Sequence, residues 1–224
     1  GSVRWHGGDG EWRAAADDHP EFELFAGSTV PHWPADAPKL RMKDMVISIA
    51  FGTNEQQKGG PCDSRCMFGT NMAIRASVFG TGVRFNENIG PNGSLAYPMG
   101  SETEFALRLA ALGYKCWFAD DARVRHIIRP KQVQIPAILL RGYRWGRGQA
   151  HMREQHHYSP SRLSRKNHLR WALYPLLMPF YDPDEAWARQ WEWVADQGYE
   201  DGWRECQGLA PKWLQKQGPR LAHR

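Results

Sequence analysis

The stretch Gly100-Ser101-Glu102-Thr103-Glu104-Phe105 places two carboxylates, one residue apart, where the flanking residues read as a helix start. A carboxylate that stays ionised at neutral pH and lies within hydrogen-bond reach of a bound hydroxyl can take its proton as a general base. The two acids are not equivalent. Ser101-x-x-Glu104 has the form of a capping box, in which the serine accepts from the helix backbone and the glutamate reaches back to the serine N–H. That motif uses Glu104 and leaves Glu102 over. In a first turn, the positive end of the helix dipole favours the ionised form of Glu102. Acids in first turns also serve helix stability alone, so the residues by themselves leave two readings of Glu102, helix stabiliser and proton acceptor.

The element that positions both acids is the clearest in the chain. Phe105, Leu109 and Leu112 recur at i, i+4 and i+7 and give one apolar face, and Gly113 stands where such a helix turns out of the right-handed region. Upstream, the pattern predicts a helix over 10–21, a strand over 22–30, a proline-broken segment over 31–39 and a second strand over 44–52. A polar, glycine-rich loop over 53–66 follows. Residues 67–79 read as a strand running into a short helix, and residues 86–100 as a long loop. Loops of that length in a compact domain carry function or mobility, and these two bracket the segment before the glutamates. Downstream, "KCWFA" and "RVRHII" read as a hairpin of short strands turning at Asp120-Asp121.

From Arg129 the character changes. A basic helical pattern carries Arg141, Arg144 and Arg147 at spacings of three, and residues 182–206 form a second helical pattern with Trp187, Trp191 and Val194 on one face. The chain therefore divides near residue 130 into a mixed α/β core, 1–130, and a helical, basic and tryptophan-rich region, 131–224.

The 224 residues carry a net charge of +5, which favours an anionic partner without selecting one. Basic and acidic residues are mixed throughout and no recognised module is present, so nucleic acid is not the expected partner. The four cysteines, Cys62, Cys66, Cys116 and Cys206, are too few for a disulfide framework at this length. The C-x3-C spacing of Cys62 and Cys66 lacks the second ligand pair of a structural zinc site, and free thiols in a reducing cytoplasm are the expectation. The longest apolar run, "WALYPLLMPFY" at 171–181, is about half of what a transmembrane helix needs. With the tryptophan-rich helices it could instead lie on an anionic membrane surface, which places the protein in the cytoplasm with a peripheral inner-face location as an option.

Three segments, in this order, carry a resemblance: Gly69-Thr70-Asn71-Met72-Ala73-Ile74-Arg75, Gly100-Ser101-Glu102-Thr103-Glu104-Phe105, and Ala122-Arg123-Val124-Arg125-His126. Together they resemble the C-terminal half of family 2 glycosyltransferases, inverting enzymes of the GT-A fold, over roughly residues 20–150. The resemblance implies a partial GT-A-like mixed sheet with flanking helices, followed by the helical appendage. It implies transfer of a sugar from a nucleotide-sugar donor to a hydroxyl acceptor (a glycan, a lipid-linked or a small molecule) with inversion. Glu102 falls on the position of the catalytic base, where the family's acidic pair is here Ser101-Glu102. Asn71, Gly100, Glu104 and Arg129 fall among substrate-binding positions, with Lys131 and the following arginines as candidate phosphate contacts. His126 falls where some relatives bring an imidazole to a divalent cation, Mg or Mn. A turn-stabilising role for Asn71, a structural hydrogen bond for His126 and a solvated face for the arginines stand beside these.

The family's Asp-x-Asp on a nucleotide-binding half has no counterpart. The one Asp-x-Asp, Asp182-Pro183-Asp184, reads as a helix start with Asp182 as N-cap and Pro183 at the first helical position. The expectation is a piece of a longer enzyme, with self-association through an exposed sheet edge. A non-catalytic module that contacts a glycan, a protein or an anionic membrane is the alternative.

Overall fold

A computed structural model describes residues 3–5, 10–37, 43–54, 58–155, 173, 176–177 and 180–212. The described residues are mixed α/β, with one mixed sheet and six α-helices. They fall into two units. One comprises Gly1–Ala37, Ile47–Asn86 and Ser101–Pro130, and the other Pro38–Val46, Glu87–Gly100 and Lys131–Arg224.

The first unit holds the sheet. Its strands are β1 (Val3–Trp5), β2 (Leu24–His32), β3 (Gly60–Cys62), β4 (Met72–Ile74) and β5 (Cys116–Ile127). The order is β1-β5-β2-β4, and β3 also pairs with β5. Only β2 and β5 run parallel. They are buried and rich in apolar residues: Leu24, Phe25, Ala26, Phe118, Ala119 and Val124 are all at most 6% exposed. Burial on both faces is what a parallel pair needs. β1 and β3 share the outer edge of β5, with β3 opposite Cys116–Phe118 and β1 opposite Val124–His126.

The expected hairpin at Asp120-Asp121 is a single strand. Gly27 faces Ala119 on β5, and the next residue, Ser28, faces Arg123. Residues 120–122 therefore form a bulge, and both halves of β5 stay in line with β2. Sequence punctuation alone cannot separate a bulge from a turn, because both admit acidic, exposed residues.

Helices α1 (Gly10–Asp18), α3 (Ala76–Gly80) and α4 (Ser101–Ala111) belong to this unit. On α4, Phe105 and Leu109 are buried against Leu24, Ala26, Met67 and Phe118. Each such side chain contributes about 1.5–3 kcal/mol. The helix ends as predicted. Gly113, at φ +93°, donates to the Ala110 carbonyl at 3.0 Å, and Tyr114 donates to the Leu109 carbonyl at 3.2 Å. This pair of bonds is a Schellman motif. It leaves Leu112 at the helix cap, 63% exposed, so the third member of the expected apolar face does not reach the core.

Helix α2 (Asp44–Phe51) replaces the strand expected at 44–52. Its apolar run fits either period, but Val46 and Ala50, four apart, are the buried positions, and that spacing is helical. The loop expected at 53–66 contains β3 and a 3-10 turn, Ser64–Cys66, capped by the Asp63 side chain accepting from Arg65 N–H at 2.8 Å.

The second unit is built on α5 (Ile135–Gln155) and α6 (Pro183–Cys206). Helix α6 starts at Pro183, as the Asp182-Pro183 pair implies, and the Asp182 carbonyl accepts from Ala186 at 2.9 Å. Trp191, Val194, Ala195 and Tyr199 are its buried stripe, while Trp187 is half-buried. Backbone meets backbone between these helices. A methyl group on Gly146 of α5 would land on the Ala195 carbonyl, and one on Gly198 of α6 on the Tyr143 carbonyl. Each helix thus carries a Gly-x3-Gly pair, Gly142/Gly146 and Gly198/Gly202, at the close approach. No helix among the described residues is long and apolar enough to cross a membrane. The apolar run at 171–181 lies for the most part outside the described residues.

Candidate functional site

The two glutamates of α4 part company. Glu104 is wholly buried and bound by Arg108, whose Nε lies 2.5 Å and Nη2 3.2 Å from its carboxylate oxygens. Arg108 also donates to the Arg84 carbonyl at 2.7 Å. Glu104 is therefore neither the reciprocal half of a capping box nor a substrate contact. It is a buried anchor, because an ion pair one turn along the helix is the better partner for a carboxylate removed from water.

Glu102 is half-buried. Its Oε2 accepts from the Ser101 hydroxyl at 3.1 Å, and no cation pairs with it among the described residues. The carboxylate lies over the backbone of Gly69. A methyl group built there would stand 3.4 Å from Glu102 Cδ, an ordinary van der Waals contact, so the glutamate packs on this backbone without requiring a glycine there.

The other residues of that segment are occupied by the fold. Asn71 is 1% exposed, and its amide donates to the Ser28 carbonyl at 2.9 Å and the Ala122 carbonyl at 2.6 Å. These carbonyls lie at the bulge, one on β2 and one on β5. The same amide occupies the space a side chain on Gly27 would need. Asn71 is a bulge clamp, and the substrate contact expected of it is not what its position provides. Arg75 donates to the carbonyls of Phe22, Ala16 and His19, which fastens the end of α1 to the start of β2.

Beside Gly69, Thr70 Oγ1 stands 3.3 Å from Thr29 Oγ1. Thr29 N–H donates to Asn54 Oδ1 at 2.8 Å, and the Asn54 amide donates to the Cys66 carbonyl at 2.9 Å. This network ties β2 to the loop that precedes Gly69.

His126 is 7% exposed, with Nδ1 2.6 Å from the Phe51 carbonyl. That contact is the structural hydrogen bond its position allowed. No group of three His, Cys, Asp or Glu side chains among the described residues is arranged to hold a metal ion. Arg129 is exposed just past β5, and Lys131 is exposed too. Gly100 has φ +110°, a conformation that suits glycine alone; it turns the chain into α4.

In the helical unit, the arginines expected to meet phosphates have other partners. Arg144 Nε donates to the Leu95 carbonyl at 2.5 Å, and its guanidinium lies 4.4 Å from the centre of the Tyr97 ring. Arg147, 8% exposed, donates to the Ala96 carbonyl and forks onto Glu205 at 2.6 and 2.7 Å. Both secure the loop at 95–99. Next to Glu205, His151 Nε2 is 3.6 Å from its carboxylate, and His151 Nδ1 is 3.6 Å from Cys206 Sγ. Burial alone would push His151 down, but Cys206 and Glu205 outweigh it and hold the imidazole up to about 9. Spacing could not reveal this cluster, since its halves lie on different helices.

Among the described residues, two cavities in the sheet-bearing unit are lined as follows. One, of about 480 Å³, is lined by Cys62, Cys116, Arg65 and Lys115 among others, and a second, of about 400 Å³, by Trp12, Phe25 and Arg75 among others. Glu102 lines neither. Comparison of the chain with protein-family models, curated proteins and solved structures finds no match in any of the three.

Proposed function

We propose that this chain is the acceptor-activating part of an inverting glycosyltransferase of the family 2 kind, with Glu102 as its general base. The observation that carries the reading is the division of labour on α4. Glu104 is sealed in the core with Arg108, while Glu102 is only half-buried at the helix start and has no paired cation among the described residues. A carboxylate so placed keeps its lone pairs for an incoming hydroxyl. In the proposed reaction the acceptor oxygen attacks the anomeric carbon as its proton passes to Glu102. The bond to the nucleoside diphosphate breaks with inversion, and positioning supplies much of the rate. The nucleotide and any divalent cation are assigned to a donor-binding half outside these residues.

The test is turnover of nucleotide-sugars by the full-length protein and its Glu102→Gln variant. The amide is isosteric but cannot accept the proton, so transfer should fall by about 10²–10⁴-fold, with donor binding and melting temperature little changed. Undiminished turnover by the variant overturns the assignment.

A further inference from the structure

Cys62 and Cys116 are 54 residues apart in sequence and directly opposite each other across the β3–β5 ladder, with sulfurs 3.4 Å apart. Both are free thiols. We propose that they form a redox dithiol, a site that closes to an intramolecular disulfide by exchange with a small anionic disulfide entering the adjoining cavity.

The register supplies the geometry. Directly opposed residues of an antiparallel pair have Cα atoms about 4.5–5.5 Å apart, inside the roughly 4.4–6.8 Å span that disulfides take. The sulfurs need only close from 3.4 Å to about 2.0 Å. Cys66 is also near and half-buried, but it sits on the 3-10 turn past β3, without a facing strand position.

The cavity supplies access. Both cysteines line it, and so do Arg65 and Lys115, each exposed. Asp63 lines it too and pairs with Arg65 at 3.5 Å, so the net positive charge that favours an anionic reagent comes from Lys115. Cys62 is half-buried whereas Cys116 is only 5% exposed, so Cys62 is the sulfur a reagent reaches first. Its hydrogen bond to Cys116, with burial, pushes its thiol up to about 12, so exchange is slow at neutral pH and quickens as pH rises and the Cys62 thiolate forms. Its thiolate attacks one sulfur of the incoming disulfide and expels a thiolate. Cys116 then loses its proton and attacks the Cys62 sulfur of the mixed disulfide, releasing the second thiolate. In sum, two protein thiols and one small disulfide become one protein disulfide and two small thiols.

The experiment is to incubate the native full chain with glutathione disulfide, quench in acid, alkylate, and map the peptides by mass. The expected result is loss of two hydrogens, a cross-linked peptide joining Cys62 to Cys116, and reversal by dithiothreitol. Cys66→Ser should still close, and Cys116→Ser should stop as a glutathione adduct on Cys62. If Cys116→Ser does not fold, the Cys66→Ser peptide map decides alone. A cross-link joining Cys62 to Cys66, or closure that requires urea, overturns the proposal, as does full alkylation of both cysteines after treatment. The readout is a covalent mass, so its outcome is independent of the Glu102 assignment.

Discussion

Arg108 reaches back one turn along α4 to Glu104, its Nε 2.5 Å from Oε1, with the carboxylate fully buried and the guanidinium one-third exposed. Removing the cation alone would strand a charge inside the sheet-bearing core. Arg108→Met should therefore cost about 3 kcal/mol, the low end for breaking a buried pair because Arg108 keeps some solvent. Urea unfolding measures it. Glu102→Gln, a few residues away, should change stability by less than about 0.5 kcal/mol, and equal losses in the two variants would refute the separation of roles.

Asn71 donates to two carbonyls at the β5 bulge, those of Ser28 and Ala122. Asn71→Leu keeps most of the volume but removes both bonds, so the expected loss is about 2–6 kcal/mol, from a cost of about 1–3 kcal/mol per carbonyl left without a donor. Thermal melting followed by circular dichroism reads it. A variant as stable as the parent would show that the amide does not hold the bulge.

Gly146 and Gly198 let the α5 and α6 backbones touch. Gly146→Val would drive side-chain carbons into the Ala195 carbonyl, so the helices must separate or twist. The expected destabilisation is about 3 kcal/mol or more, at or above the usual range for overpacking. Gly10→Ala, where nothing lies within 4 Å of the added carbon, is the matched control and should be neutral or slightly stabilising.

His151 gives the helical unit a pH dependence. Its folded value, about 9, exceeds the ordinary value of 6.5, so the native state holds the proton more tightly than the unfolded chain does. The facing groups are Cys206, Glu205 and, through Glu205, Arg147. The stabilisation is fully present below about pH 6.5 and is lost as pH rises through about 9. Unfolding free energies measured from pH 6 to 10 should fall across that window, and His151→Gln should flatten the fall. A slope unaltered in His151→Gln would assign it to another group.

What the sequence made legible was mostly local. The start and stop of α4 follow from a 3.6-residue period and from Gly113, and α6 begins where Asp182-Pro183 says it should. Two elements were misread because their local signals are degenerate. The α2 run contains both β-branched residues and a helical spacing, and tertiary burial of Val46 and Ala50 decides between them. Asp120-Asp121 reads as a turn, but pairing with β2 on both sides makes it a bulge. For the site, the capping box that set Glu102 apart from Glu104 does not form, because Glu104 pairs with Arg108 instead. The true partner of Glu104 was four residues ahead in plain view. The facing of Cys62 and Cys116 was out of reach, since it depends on which strands pair. So was the occupation of Arg144 and Arg147 by a loop about fifty residues upstream.

The outermost strand beyond β2 is only three residues long, Met72–Ile74, before Arg75 turns away and α3 begins. Outward-facing amides and carbonyls come from alternate residues, so an invading segment would gain about two bonds there. Among the described residues, a neighbouring chain reaching this flank would meet a strand only three residues long, and short edge strands offer little to pair with.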